Sequence, residues 1–356
     1  MENRIFWLDI AKGFGIIFVF LGHTIFTNEI WRIWIYSFHM PLFFFLSGIV
    51  YNEKKYINIK FLILSKTKTI LIPYFILCVV MLISNCITFL YYTIMCGEIA
   101  NFSFLEKSIG ILLSLRGTKW YCGYWFLTCL FLIYILIYFI INFSKSIKFD
   151  SKKSILGFSI LLLTFGIFYE KSAFPYLPWG IDVAFIATFF SILGWITRVR
   201  FKKKMSKVLV LKLATGSLFT SIVNVYLAQE QVDMYSNQYG SFLLFLLSSL
   251  LGIFFIIGMS QQLCDKHGII SHIGKNSLYY YGVNVLALKI VDTLTLGVLN
   301  GVESENGIII LIKCIIKVIL AIGLSRICLS IINDAKNKLL YTWNDSIMHN
   351  RRALKK

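Results

Sequence analysis

The sequence predicts an all-α polytopic membrane protein of ten transmembrane helices, with both termini cytoplasmic. Three observations carry that expectation. First, 58% of the 356 residues are hydrophobic, the mean hydropathy is +0.76, and 15% are charged; soluble domains carry about 25% charged residues. Second, apolar runs of about 20 residues, the length needed to cross a bilayer, recur from end to end. Third, lysines and arginines crowd alternate loops, as in chains whose cytoplasmic segments are positive.

The spans fall at 5–26, 33–51, 69–95, 123–143, 154–170, 181–197, 207–227, 240–260, 276–296 and 307–332. With the N-terminus inside, the outer segments hold only Arg32, Lys107, Arg116, Lys119 and Lys171, and the inner segments hold most of the other basic residues. The first span follows Arg4 as a signal peptide would. It is long, carries Lys12 and His23 and lacks a small-residue cleavage site, so it reads as a retained helix. Residues 1–333 then form one transmembrane domain, and 334–356 form a basic amphipathic tail suited to the anionic inner leaflet. The net charge of +18 is accounted for by this topology, and no base-reading motif accompanies it, so no nucleic-acid partner is expected. Eight cysteines show neither a C-x-x-C pair nor metal-ligand spacing, and no metal is expected. Cys96 and Cys122 flank one outer loop, and whether they pair is left open.

Ionisable groups inside a membrane helix face a polar interior and usually work there. Lys12 and His23 both lie in the first span. Eleven residues amount to three turns plus about 20°, so they share a face about 16 Å apart along the axis. Lys12 suits a phosphate or a carbonyl on the inner side; His23 suits a general base on the outer side. A snorkelling lysine and an interfacial histidine would look the same. Asp9, three residues before Lys12, can pair with it. In the second span, His39 lies at a depth similar to His23, Pro41 frees a backbone carbonyl one turn earlier, and Ser47 and Gly48 permit close helix approach. Lys66 and Lys68, ahead of Pro73, can hold an anionic cytosolic cofactor or simply be inner-loop charge. Asp182, Asn284, Arg326 and Trp125 are further pocket candidates, as is Lys289, expected to pair with Asp292. The outer loops are polar and aromatic, which fits either a sugar or an interfacial belt.

The stretch Trp7-Leu8-Asp9-Ile10-Ala11-Lys12-Gly13 running on to Leu21-Gly22-His23 resembles the first helix of the acyltransferase-3 superfamily, with its basic residue, ten intervening residues and histidine. Phe38-His39-Met40-Pro41-Leu42 and the following phenylalanines resemble the second helix of that family. Lys66 and Lys68 fall where the family has a basic pair, and Trp125-Phe126-Leu127 matches a further motif. Leu177 to Asp182 and Ile273 to Leu278 resemble later segments. The branch most resembled is that of the fucose 4-O-acetylases. Many relatives have a histidine in the ninth span where this chain has Asn284. The resemblance implies a multi-pass cell-membrane O-acetyltransferase. It would move an acyl group, usually acetyl, from cytosolic acyl-CoA (acetyl-CoA) to a hydroxyl of a glycan or lipid-linked sugar. Lys66, Lys68 and Lys12 would hold CoA, and His23 with His39 would deprotonate the acceptor. Either the pantetheine arm reaches up the bundle or the acyl group is relayed. The alternative is a polysaccharide or lipid-linked sugar exporter of the same fold.

Overall fold

A computed structural model describes residues 5–24, 30–95, 103–118, 123–147, 151–172, 174–198, 201, 203–263, 268–295 and 307–353. Among them the chain is helical, without strands: α1 (Phe6–Gly22), α2 (Ile30–Ile49), α3 (Ile59–Lys66), α4 (Ile72–Met95), α5 (Phe104–Leu113), α6 (Trp125–Ser146), α7 (Ser151–Lys171), α8 (Ile181–Thr197), α9 (Lys207–Ala228), α10 (Phe242–Leu263), α11 (Ile269–Lys275), α12 (Ser277–Leu294) and α13 (Gly307–Ala353). Each expected span coincides with a helix. Seven segments of the described chain are long and apolar enough to cross a membrane: 59–95, 125–146, 152–171, 178–197, 207–228, 242–263 and 308–334. Helices α1, α2 and α12 lie outside that set. α1 has 17 residues, and the other two carry Arg32, Ser37 and His39, and Asn284, Lys289 and Asp292. α13 passes residue 334 without a break.

The chain divides into two compact units. The first comprises Met1–Gly15 and Ile30–Lys275. Within it, α2 packs on α8, α9 and α10; α8 also packs on α6 and α7, and α9 pairs with α10. The α2–α8 crossing shows how small residues build such a core. A Cβ on Gly48 would stand 1.8 Å from the Ser191 carbonyl oxygen, and one on Gly194 would stand 2.0 Å from that of Phe45. Without side chains at these points the two backbones touch, and lipid offers no competing hydrophobic gain, so contact of this kind drives association. Hydroxyls reinforce it: Ser47 and Ser191 both donate to the Phe44 carbonyl, at 2.6 and 2.7 Å. The start of α1 crosses α11 in the same manner, with Gly13 against Ile270 and Gly274 against the Asp9 backbone.

Pro41 lies inside α2, where it lacks the N–H that would bind the Ser37 carbonyl. That carbonyl is satisfied from α10, where the Ser249 hydroxyl donates to it at 2.6 Å. The kink-forming residue thus becomes a tether between helices.

The second unit comprises Ile16–Glu29 and Asn276–Lys356. Its helices α12 and α13 pack together. Across them the Asp292 carboxylate holds the Lys317 ammonium at 2.6 Å, and the Tyr279 hydroxyl donates to the Ser325 carbonyl at 3.1 Å. The Cys314 thiol meets the Thr24 carbonyl at 3.4 Å, next to His23.

Candidate functional site

Two clusters of charged and aromatic side chains stand out in the first unit, one around Arg116 and Asp182 and one around Lys66 and Tyr134. At the first, three connecting segments meet: 114–118 after α5, 174–180 before α8, and 229–241 between α9 and α10. The chain is brought there by the C-terminus of α5, whose last carbonyls have no partner within the helix. The Tyr74 hydroxyl takes the Ile111 carbonyl and the Trp179 indole N–H takes that of Leu112, each at 2.7 Å. Ser114 then turns the chain in the left-handed region, with φ 45°, and two residues later Arg116 points inward.

Arg116 and Asp182 are both fully buried and form an ion pair. Asp182 lies in the first turn of α8, where exposed N–H groups favour an anion. The turn before it, Pro178–Gly180, holds Trp179 and Gly180 in the left-handed region, with φ 59° and 70°. The guanidinium also donates to the carbonyls of Met234 and Tyr235 and lies 4.9 Å from the centre of the Tyr176 ring and 5.9 Å from that of Trp125. Tyr235 returns its hydroxyl to the Gly117 N–H at 3.2 Å, and Tyr176 donates to the Ser236 carbonyl at 3.3 Å. One arginine therefore ties three segments together. The 229–241 segment is closed on itself by Asp233, whose carboxylate accepts the Tyr235 N–H at 2.9 Å. Burial pushes the Asp233 carboxyl above the ordinary carboxylate range, opposed by that hydrogen bond and by the charge of Arg32.

His39 is buried at the middle of α2. Its Nδ1 lies 2.8 Å from the Ile35 carbonyl, and its ring lies 5.0 Å from that of Tyr36. Arg32 covers Tyr36 at 4.3 Å. With Nδ1 as donor to Ile35, Nε2 is the basic nitrogen. Trp125 opens α6 and stands 6.5 Å from Phe44.

Beyond the C-terminal end of α2 lies a tyrosine cluster. Tyr51 stacks on Tyr134 at 6.1 Å and meets Tyr56 at 5.6 Å. Lys66, at the end of α3, places its ammonium 3.4 Å from the centre of the Tyr134 ring and 5.4 Å from that of Tyr56. A wide π-turn, Thr67–Leu71, follows Lys66. It eases the Pro73 ring past the preceding turn, and such turns recur at functional sites. Lys68, inside it, is exposed. Arg198 donates to the Tyr51 carbonyl at 3.0 Å, and Lys145 pairs with Glu53 at 3.2 Å.

The remaining expected residues distribute as follows. Asp9 is buried and Lys12 half-buried in the part of α1 that belongs to the first unit. His23, one residue beyond the end of α1, is exposed and belongs to the second unit. Its N–H donates to the carbonyls of Val19 and Phe20 at 3.2 Å. In that unit Asn284 is buried and donates to the Tyr281 carbonyl at 2.6 Å, while its Oδ1 has no hydrogen-bond partner among the described residues. Lys289 and Arg326 are exposed. Asp292, expected beside Lys289, has Lys317 as a close partner. Cys96 and Cys122 lie outside the described residues.

Sequence reasoning missed Arg116, Lys317 and the three tyrosines. Arg116 reads in sequence as one more loop charge. Its signal was the neighbouring Gly117, which holds φ 71° beside the Tyr176 ring.

Among known families, the model described as an acyltransferase domain, that of acyltransferase 3, matches residues 5–326. No curated protein matches the chain. No solved structure matches it.

Proposed function

The chain belongs to the acyltransferase-3 family and is a membrane acyltransferase, and from that premise we propose that it moves an acetyl group from cytosolic acetyl-CoA to a hydroxyl of a cell-envelope glycan or lipid-linked sugar. In this reading ten helices cross the cell membrane with both termini inside, and the enzyme is nearest in kind to the fucose 4-O-acetylases. Segment 334–356 is then a cytosolic tail lying on the inner leaflet.

The observation that carries the reading is on α1: Lys12 within the helix and His23 directly after it, ten residues between them. The tyrosine-held Lys66 and the exposed Lys68 lend cations to the donor side, where CoA presents its phosphates. His23, with His39 as a second candidate, serves the acceptor side. The acceptor oxygen attacks the thioester carbonyl carbon as its proton passes to the imidazole. The C–S bond then breaks, and CoA leaves as a thiolate that takes up a proton. A positioned base of this kind contributes about 10²–10⁴-fold to the rate.

The test is mass spectrometry of surface glycan from cells with and without the gene. Loss of the mass of one acetyl group per modified sugar, with the amount of glycan unchanged, is the expected result. Full acetylation in the deleted cells overturns the proposal, and complete absence of the glycan favours export.

A further inference from the structure

Lys66 differs from the exposed Lys68 in what surrounds its charge. The ammonium sits 3.4 Å from the centre of the Tyr134 ring and 5.4 Å from that of Tyr56. Tyr51 stacks behind Tyr134 with an interplanar angle of 25°. All three rings are buried, while Lys66 is partly exposed. Tyr134 is itself packed in place, buried on α6 with the Tyr51 ring 6.1 Å from its own.

Two physical consequences follow. A ring face attracts a cation through its quadrupole without accepting a conventional hydrogen bond, so the ammonium keeps N–H donors for a second, anionic partner. A flexible lysine loses much side-chain freedom when it grips an anion. Here the rings have already removed that freedom, so the grip costs less. An exposed lysine such as Lys68 lacks that pre-ordering.

Resting on the assignment of Lys66 to the acyl-CoA donor, we infer that Tyr134, with Tyr56, is a positioning residue: its ring face holds the Lys66 ammonium in place to receive a phosphate of CoA. The tyrosines do not touch the donor in this account; they act through the lysine. The arrangement also explains the π-turn after Lys66. One wide turn lets α3 end with its last side chain over the tyrosines while α4 begins on a new phase.

The test measures the Kd for CoA of the purified full-length protein in lipid nanodiscs, by calorimetry. Variants are Lys66→Met, Tyr134→Leu, Tyr134→Phe, Tyr56→Leu and the double change Lys66→Met with Tyr134→Leu. The expected results are a loss of about ten-fold for Lys66→Met and for Tyr134→Leu, with no further loss in the double variant. Tyr134→Phe, which keeps the ring face, should bind within two-fold of the parent. Tyr56→Leu should lose several-fold and bears on the same point should Tyr134→Leu fail to fold. Wild-type binding in Tyr134→Leu or Tyr56→Leu beside weakened binding in Lys66→Met overturns the positioning role and leaves the donor site standing. Tyr134→Phe losing as much as Tyr134→Leu also overturns it, because the hydroxyl would then be what matters. Unchanged binding in Lys66→Met removes the donor assignment of that lysine, and the inference with it.

Discussion

Arg116 and Asp182 show how much one buried pair can organise. Each is fully buried, and the guanidinium gathers backbone carbonyls from the 229–241 segment and the aromatic faces of Tyr176 and Trp125. Removing one partner strands the other charge in a low-dielectric interior, which costs about 3–5 kcal/mol. Asp182→Asn and Arg116→Met are each expected to lower the melting temperature of the detergent-solubilised protein sharply, and an unchanged transition in both would contradict the role given to the pair. Asp233 makes a second residue-scale case. Burial raises its carboxyl above the unfolded value of about 3.9. A carboxyl raised in the folded state is harmless while protonated in both states. It opposes folding increasingly as the pH climbs from the unfolded value through the raised one. Asp233→Asn keeps an oxygen for the Tyr235 N–H. It should therefore melt higher than the parent at pH 7 and show no advantage below about pH 4, which parallel melts at the two pH values will decide. Neither residue's partner is legible in the sequence. Arg116 and Asp182 stand 66 positions apart, and pairing at that range is set by how the helices pack. Asp9 and Lys12, by contrast, are local, and helical phase alone puts them on one helix.

At the scale of elements, packing follows from where side chains are missing. Gly48 and Gly194 bring α2 and α8 into backbone contact, and serine hydroxyls on both helices find the same carbonyl. Gly157, on α7, has nothing within 4 Å of where a Cβ would be. Gly48→Ala is thus expected to destabilise by about 1–3 kcal/mol through overpacking. Gly157→Ala should stabilise by about 0.5–1 kcal/mol, because an open helical glycine gives way to a better helix former. Denaturation of both variants side by side checks the contrast, and equal effects would contradict it. The helices themselves were largely readable: runs of apolar residues are bounded by the Pro178–Gly180 turn and by the polar 229–241 segment, where the structure breaks them. Pro41 was readable as a freed carbonyl, but its partner Ser249 was not, since nothing in a local window ties residue 37 to residue 249. The π-turn at Thr67–Leu71 was hidden for another reason. Residues 70–83 carry no charged side chain, so a change of helical phase there leaves no mark in the apolar pattern.

At the scale of the whole molecule, family membership over residues 5–326 makes the chain a membrane acyltransferase. Lys66 gathers with tyrosines beyond the C-terminal end of α2, His39 lies at the middle of that helix, and the Arg116–Asp182 pair ties the connecting segments together. The central claim is that His23 is the base that activates the acceptor. It is tested most directly by replacing the chromosomal copy with His23→Ala, matching the amount of protein in the membrane, and measuring acetyl content of the surface glycan by mass spectrometry. The account predicts a normal quantity of glycan with acetylation reduced at least about 100-fold, the lower bound for losing a general base. Wild-type acetylation in His23→Ala would contradict it.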